Sequence, residues 1–168
     1  VPTTVTELRN VSAATINCSK QNTVDVTFRN VKANNVNLTC HFLTTYDSDI
    51  SFSNEPTFSA FWGNDSKIYG SIWTTKSKQI ICNGCFIGFS LNLVTDNTTN
   101  HGYVEFTNCT FQTNVSFTMK QIVMKNSITS NNTIKIYPHK DGDNYILGGV
   151  TFENNRSEEH TSELQSRV

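Results

Sequence analysis

Apolar and polar residues alternate along Y-V-E-F-T-N-C-T-F, residues 103–111, as far as Asn108, and then restart one residue out of phase. Alternation with period two predicts a β-strand that buries one face. A phase shift at an asparagine predicts a bend after which the inward-facing parity resets, because Asn tolerates left-handed backbone and hydrogen-bonds locally. The same pattern ends at Asn30 (D-V-T-F-R-N), Asn54 (D-I-S-F-S-N), Asn83 (K-Q-I-I-C-N), Asn108 (Y-V-E-F-T-N), Asn126 (Q-I-V-M-K-N) and Asn154 (G-V-T-F-E-N). Two positions earlier stand Phe28, Phe52, Ile81, Phe106, Met124 and Phe152, all large and apolar, which are expected to form one stacked core column. Four positions earlier stand Val26, Ile50, Gln79, Val104, Ile122 and Val150, with Gln79 the exception.

Successive asparagines are 24, 29, 25, 18 and 28 residues apart. A repeat of this size implies stacked units, none of which buries its apolar face alone. Short strands with such a period predict an all-β solenoid in which each turn pairs in parallel with the next, spacing differences being absorbed between strands. The domain reading is an entry cap or partial turn over residues 1–22, solenoid repeats over residues 23–155, and a separate tail over residues 156–168. An antiparallel β-sandwich, which also has many short alternating strands, is the rival architecture.

At these residues the chain resembles the right-handed parallel β-helix, or pectin-lyase-like, superfamily. L-G-G-V-T-F-E-N-N, residues 147–155, is similar to the G-G-[AILV] and F-x-x-N repeats of polymorphic outer-membrane-type surface proteins. The resemblance implies a right-handed parallel coil with a role at a cell surface.

The 168 residues carry 13 Lys plus Arg against 14 Asp plus Glu, so no net field points to nucleic acid or to an anionic membrane. No apolar run approaches the roughly 18 to 20 residues that span a bilayer, and V-P-T-T-V-T-E-L has neither the charged start nor the apolar core of a signal peptide. The tail is of another kind. R-S-E-E-H-T-S-E-L-Q-S, residues 156–166, matches in order the conceptual translation of a common sequencing adapter, so residues 156–168 are read as foreign to the fold and the natural protein is expected to run on from Asn155 into other sequence.

Asn-x-Ser/Thr sequons at Asn10, Asn17, Asn37, Asn64, Asn97, Asn114 and Asn131 are candidate glycosylation sites. Asn108 also heads a sequon, but it is claimed by the bend. The cysteines are Cys18, Cys40, Cys82, Cys85 and Cys109. C-N-G-C lacks the second ligand pair of a zinc site, so no metal is expected. Cys85 and Cys109 lie 24 residues apart, close to one turn, yet they stand two and one positions after their asparagines. Counted in this way they occupy different columns, and buried free thiols are expected there.

P-H-K-D-G-D-N, residues 138–144, gathers His139, Lys140, Asp141 and Asp143 around Gly142. A turn is the expected reading, because the segment lacks the spaced oxygen ligands of a calcium loop. His101-Gly102 is similar to one short signature of β-helix polygalacturonases, but the accompanying paired aspartates and the N-T-D and R-I-K segments are missing. A lyase-type base would need Arg or Lys beside acidic residues, and the two arginines before the tail, Arg9 and Arg29, lie near no acidic cluster in the repeat register. No catalytic residue and no cofactor is therefore assigned. Aromatic residues crowd F-S-A-F-W-G-N-D-S-K-I-Y-G-S-I-W, where Phe61, Trp62, Tyr69 and Trp73 are candidate contacts for a sugar or a partner protein.

The expected function is thus a non-catalytic recognition or adhesion scaffold, extracellular or at the cell surface, and part of a longer protein. One alternative is a carbohydrate-active β-helix enzyme with its site beyond residue 155. Another is a viral envelope or spike ectodomain built as a sandwich, suggested by the sequons and by the similarity of N-C-T-F to spike amino-terminal domains.

Overall fold

A computed structural model describes residues 5–19, 23–70, 73–76, 79–88, 91–94, 103–112, 115–118, 121–129, 134–136, 139–141, 144–146 and 149–157. The chain is an all-β parallel solenoid. Two eight-stranded sheets run its described length, and a four-stranded sheet joins them beside the later turns. In chain order the first sheet is Val5–Arg9, Asp25–Arg29, Phe42–Tyr46, Ala60–Asn64, Gln79–Asn83, Tyr103–Thr107, Gln121–Lys125 and Gly149–Glu153. The second is Ser12–Ser19, Lys32–Thr39, Asp49–Phe52, Lys67–Gly70, Phe86–Gly88, Thr110–Phe111, Ile128–Thr129 and Arg156–Ser157. The third is Trp73–Lys76, Leu91–Val94, Val115–Thr118 and Ile134–Ile136. Every pairing within these three sheets is parallel. That overturns the antiparallel sandwich, whose hairpins would pair neighbours in sequence.

Each strand of the first sheet passes into its partner in the second through a residue in left-handed conformation. These are Asn10, Asn30, Asp47, Asp65, Gly84, Asn108, Asn126 and Asn154, with φ between 46° and 68°. Before the corner, residues two and four positions back face inward, as Phe28 and Val26 do; after it, the first and third residues do, as Val31 and Ala33 do. One left-handed residue therefore resets the parity, which is the phase break visible in the sequence.

Two inward columns fill the first sheet's side of the core. One runs Val26, Leu43, Phe61, Ile80, Val104 and Ile122; the other runs Leu8, Phe28, Thr45, Gly63, Cys82, Phe106, Met124 and Phe152. Opposite them, Ala33, Ile50, Ile68, Ile87 and Phe111 stack in the second sheet, all buried. Burying a side chain of this size stabilises by about 1.5 to 3 kcal/mol, so the columns are the main cohesive element.

Two members of the expected column, Phe52 and Ile81, need correction, and a third, Phe152, is less buried than expected. Phe52 is buried, but in the second sheet, where it pairs with Val36 and Gly70. Ile81 points outward, because the corner after it is Gly84 rather than Asn83, so Ile80 and Cys82 take the inward positions. Phe152 does occupy the column but is 40% exposed, since its strand has a neighbour on one side only. Two turns whose corners are Asp47 and Asp65 also fall between Asn30 and Asn83. Residues 1–22 contain a complete strand pair in register with the next turn. At the other end, Arg156–Ser157 pairs with Ile128–Thr129, so regular pairing runs two residues past Asn155. The rest of the tail lies outside the described residues.

Candidate functional site

The solenoid presents two chemically distinct features, an inner polar corner and an outer aromatic ridge. The corner starts from a backbone problem. The residue after each left-handed position turns inward, and its N–H points along the solenoid axis, where no strand carbonyl faces it. A buried N–H without an acceptor is costly, so the next turn must supply one. Side chains do so at successive turns. Val31 N–H donates to Ser48 Oγ at 3.1 Å, and Ser48 N–H to Ser66 Oγ at 3.2 Å. Cys85 and Cys109 take the next two places in this column, and their thiols donate to Asn83 O at 3.7 Å and to Thr107 O at 3.4 Å. Cys109 N–H then donates to Ser127 Oγ at 3.2 Å, and Ser127 N–H to Asn155 Oδ1 at 2.9 Å. Each hydroxyl in turn donates to a carbonyl two residues back on its own turn: Ser48 to Tyr46 at 2.8 Å, Ser66 to Asn64 at 2.7 Å and Ser127 to Lys125 at 3.0 Å. Small polar side chains are required here because the position is buried and must both accept and donate. Sequence reading missed this column; its signal is a Ser, Cys or Asn directly after the corner residue.

All five cysteines are buried, and Cys82, Cys85 and Cys109 are free thiols. Cys85 and Cys109 share this one column, contrary to the expectation of different columns, because Gly84 rather than Asn83 holds the left-handed position. Cys82 approaches from the neighbouring inward column. Gly63 makes the room: a Cβ there would meet Cys85 Sγ at 3.0 Å and Cys82 Sγ at 3.3 Å. Hydrogen bonds from the Cys109 and Cys82 thiols, together with the Ser66 N–H, hold Cys85 below the ordinary thiol range. Burial pushes Cys82 up, and donation to Cys85 followed by burial pushes Cys109 up. Among the described residues no group of three or more His, Cys, Asp or Glu side chains is placed to hold a metal ion.

The outer ridge lies on the first sheet. Trp62 faces out and is 42% exposed, its ring stacked on Phe42 with centroids 6.0 Å apart and planes at 20°. His41 also stacks on Phe42, at 3.9 Å, and its Nδ1 lies 3.1 Å from Asp25 Oδ1. Arg29 caps the Tyr46 ring at 4.1 Å beside this stack and reaches Glu7 Oε1 at 3.0 Å. Arg9 first, and then Arg29, holds the Glu7 carboxyl below its usual range. Farther along the same face the Tyr103 hydroxyl donates to the Glu105 carboxylate, which pushes the phenol up to about 12.

Of the aromatic candidates, Phe61 is fully buried in the inner column and offers nothing to a ligand, because one residue of alternation separates it from outward Trp62. Tyr69 is half-buried on the outer side of the second sheet, its ring lying over Gly88 and tilted against Phe86 with centroids 5.7 Å apart. Trp73 begins a strand of the third sheet, and its side chain lies outside the described residues. Sequence reading missed Phe42 and His41, which lie outside the aromatic cluster along the chain and join it through strand pairing.

Asn10 and Asn17 are exposed and accept hydrogen bonds through Oδ1 from Asn30 at 2.9 Å and Asn37 at 3.1 Å. Their own Nδ2 atoms, the points of glycan attachment, are not the donors in these bonds. Asn37 and Asn64 are half-buried and use Nδ2 as donor, to Asn17 Oδ1 and to Thr45 O. Asn97, Asn114 and Asn131 lie outside the described residues. Asn108 is exposed at its corner, φ 53°, so its side chain does not face the core. His139–Asp141 pairs antiparallel with Asn144–Ile146, a hairpin as the P-H-K-D-G-D-N segment suggested. No protein-family profile matches the chain, and neither a curated protein nor a solved structure shows significant similarity to it.

Proposed function

We propose that the chain is a recognition scaffold of an extracellular or cell-surface protein, and that the ridge formed by His41, Phe42 and Trp62 contacts a carbohydrate chain. The observation that carries this reading is the exposure of Trp62, 42%, on a rigid sheet face with its ring already stacked on Phe42. A large ring fixed in place loses little freedom on binding and presents apolar surface to the C–H faces of a sugar. The flanking Asp25, His41 and Arg29 supply hydrogen-bonding partners for hydroxyl groups. The exposed sequons at Asn10 and Asn17 suit a secreted chain.

The test is binding to an array of immobilised glycans, followed by titration of the best soluble hits. Trp62→Ala and Phe42→Ala should each weaken binding at least tenfold while leaving the melting temperature within about 2 °C, since both substitutions remove surface rather than core. Wild-type binding to no arrayed glycan, or full binding by both variants, would overturn the carbohydrate reading. Capture of a protein partner that depends on Trp62 would replace it with a protein-recognition surface.

A further inference from the structure

Ser48, Ser66 and Ser127 show that a hydroxyl satisfies the backbone at the corner, yet two successive turns place thiols there instead. Cys85 and Cys109 stand on adjacent turns of one column. The pairing Phe86 with Thr110 and the bond from Thr110 N–H to Cys85 O at 2.9 Å fix them side by side. Adjacent strands lie roughly 4.8 Å apart, inside the range of about 4.4 to 6.8 Å between α-carbons that a disulfide spans. Sulfur is not needed for the backbone bond, so its distinct chemistry is the natural reason for its presence at this pair of positions.

We propose that Cys85 and Cys109 are a redox pair that closes into a turn-to-turn disulfide, stapling the corner of the solenoid. The oxidant is a low-molecular-weight disulfide. Cys85 Sγ attacks one of its sulfurs, breaking the oxidant's S–S bond; the first small thiol leaves with the Cys85 proton. Cys109 Sγ then attacks Cys85 Sγ and displaces the second small thiol, which takes the Cys109 proton. Two electrons pass from the protein to the oxidant. The thiolate character that Cys109, Cys82 and the Ser66 N–H confer on Cys85 makes it the attacking sulfur. Exposures of 2% and 1% mean that the exchange proceeds while the turns are closing or when the corner opens, and that the finished bond resists reduction. This inference stands apart from the recognition reading and does not depend on it.

The experiment is refolding of the chain in oxidised glutathione and, separately, in dithiothreitol. Non-reducing peptide mapping by mass spectrometry locates the bond, and thermal melts follow its effect. The oxidised protein should lose two hydrogen masses, show a single Cys85–Cys109 link, and melt about 5 to 10 °C higher than the reduced form, as expected for a closed loop of this length. Cys82→Ser should keep the link. Cys109→Ser should abolish it while folding normally, because serine already occupies this column in three other turns. No mass loss, a Cys82–Cys85 link, or a link involving Cys18 or Cys40 would overturn the proposal. Equal melting temperatures for the linked and reduced forms would do the same for its stapling role.

Discussion

The corner between the first and second sheets and the path that returns from the second sheet to the next turn obey different rules. At every corner one left-handed residue turns the chain, and the residue after it faces inward. The return path has no fixed length, since equivalent corner residues are separated by as few as 17 positions, as between Val31 and Ser48, and by as many as 28, as between Ser127 and Asn155. In the later turns it also carries the strands of the third sheet. The difference follows from hydrogen bonding. Corners are each tied to the next by a backbone bond on either side and, at four of the described corners, by a side-chain bond between them, as in Asn108 N–H to Lys125 O at 3.0 Å, Cys109 N–H to Ser127 Oγ at 3.2 Å and Ile128 N–H to Cys109 O at 2.8 Å. An inserted residue there would break three bonds and flip the parity of the strand that follows. Between corners, extra residues cost only loop entropy.

The largest effect expected from this contrast is in the column beside the corner. Phe106 is fully buried and meets Phe111 edge-on at 4.9 Å across the bend. Phe106→Ala should destabilise by about 3 to 5 kcal/mol in denaturant titration, whereas outward Thr107→Ala should cost under about 1 kcal/mol. Similar losses at both positions would contradict the inside–outside assignment. Next comes the side-chain bond itself. Ser127→Ala leaves the buried Cys109 N–H without its acceptor and should cost about 1 to 3 kcal/mol, with Ser127→Cys retaining most of that because the column already accepts sulfur.

How far the sequence discloses this arrangement depends on which residue takes the left-handed position. Strands that end in Asn30, Asn108, Asn126 and Asn154 are legible, because Asn at the corner coincides with a large apolar residue two positions earlier. The turns ending in Asp47 and Asp65 are not, since Thr45 and Gly63 hold the inward position and no F-x-N pattern appears. Left-handed backbone admits Asn, Asp and Gly alike, so a search for Asn alone shifts the register at Gly84 and hides the shared column of Cys85 and Cys109. Phe52 misleads for the opposite reason. It obeys the alternation, but alternation is common to both sheets and does not say which one a strand joins. The outer ridge was legible only at Trp62; His41 and Phe42 meet Trp62 through pairing between turns, which no local pattern encodes.

A smaller effect sharpens the same point. Asn108→Ala keeps a β-carbon at φ 53° but removes the carboxamide that eases left-handed backbone, and should cost about 1 to 2 kcal/mol, while Asn108→Gly should change stability by only a few tenths. Equal penalties would show that the side chain, and not the backbone conformation, defines the corner. Smallest of all, a Gly-Ser pair inserted between Val94 and Tyr103, on the return path, should shift stability by under about 1 kcal/mol. The same pair inserted between Thr107 and Asn108 should prevent cooperative folding.

The central claim is that successive turns pair in parallel and in register, and backbone NOE spectroscopy on isotopically labelled protein tests it most directly. Tyr103–Thr107 and Gln121–Lys125 are matched so that Tyr103 faces Gln121 and Thr107 faces Lys125. The account predicts inter-strand backbone NOEs at both ends of this pair, near Tyr103 and Gln121 and near Thr107 and Lys125 alike. Contacts joining Tyr103 to Lys125 and Thr107 to Gln121 would mean antiparallel strands and would contradict the solenoid.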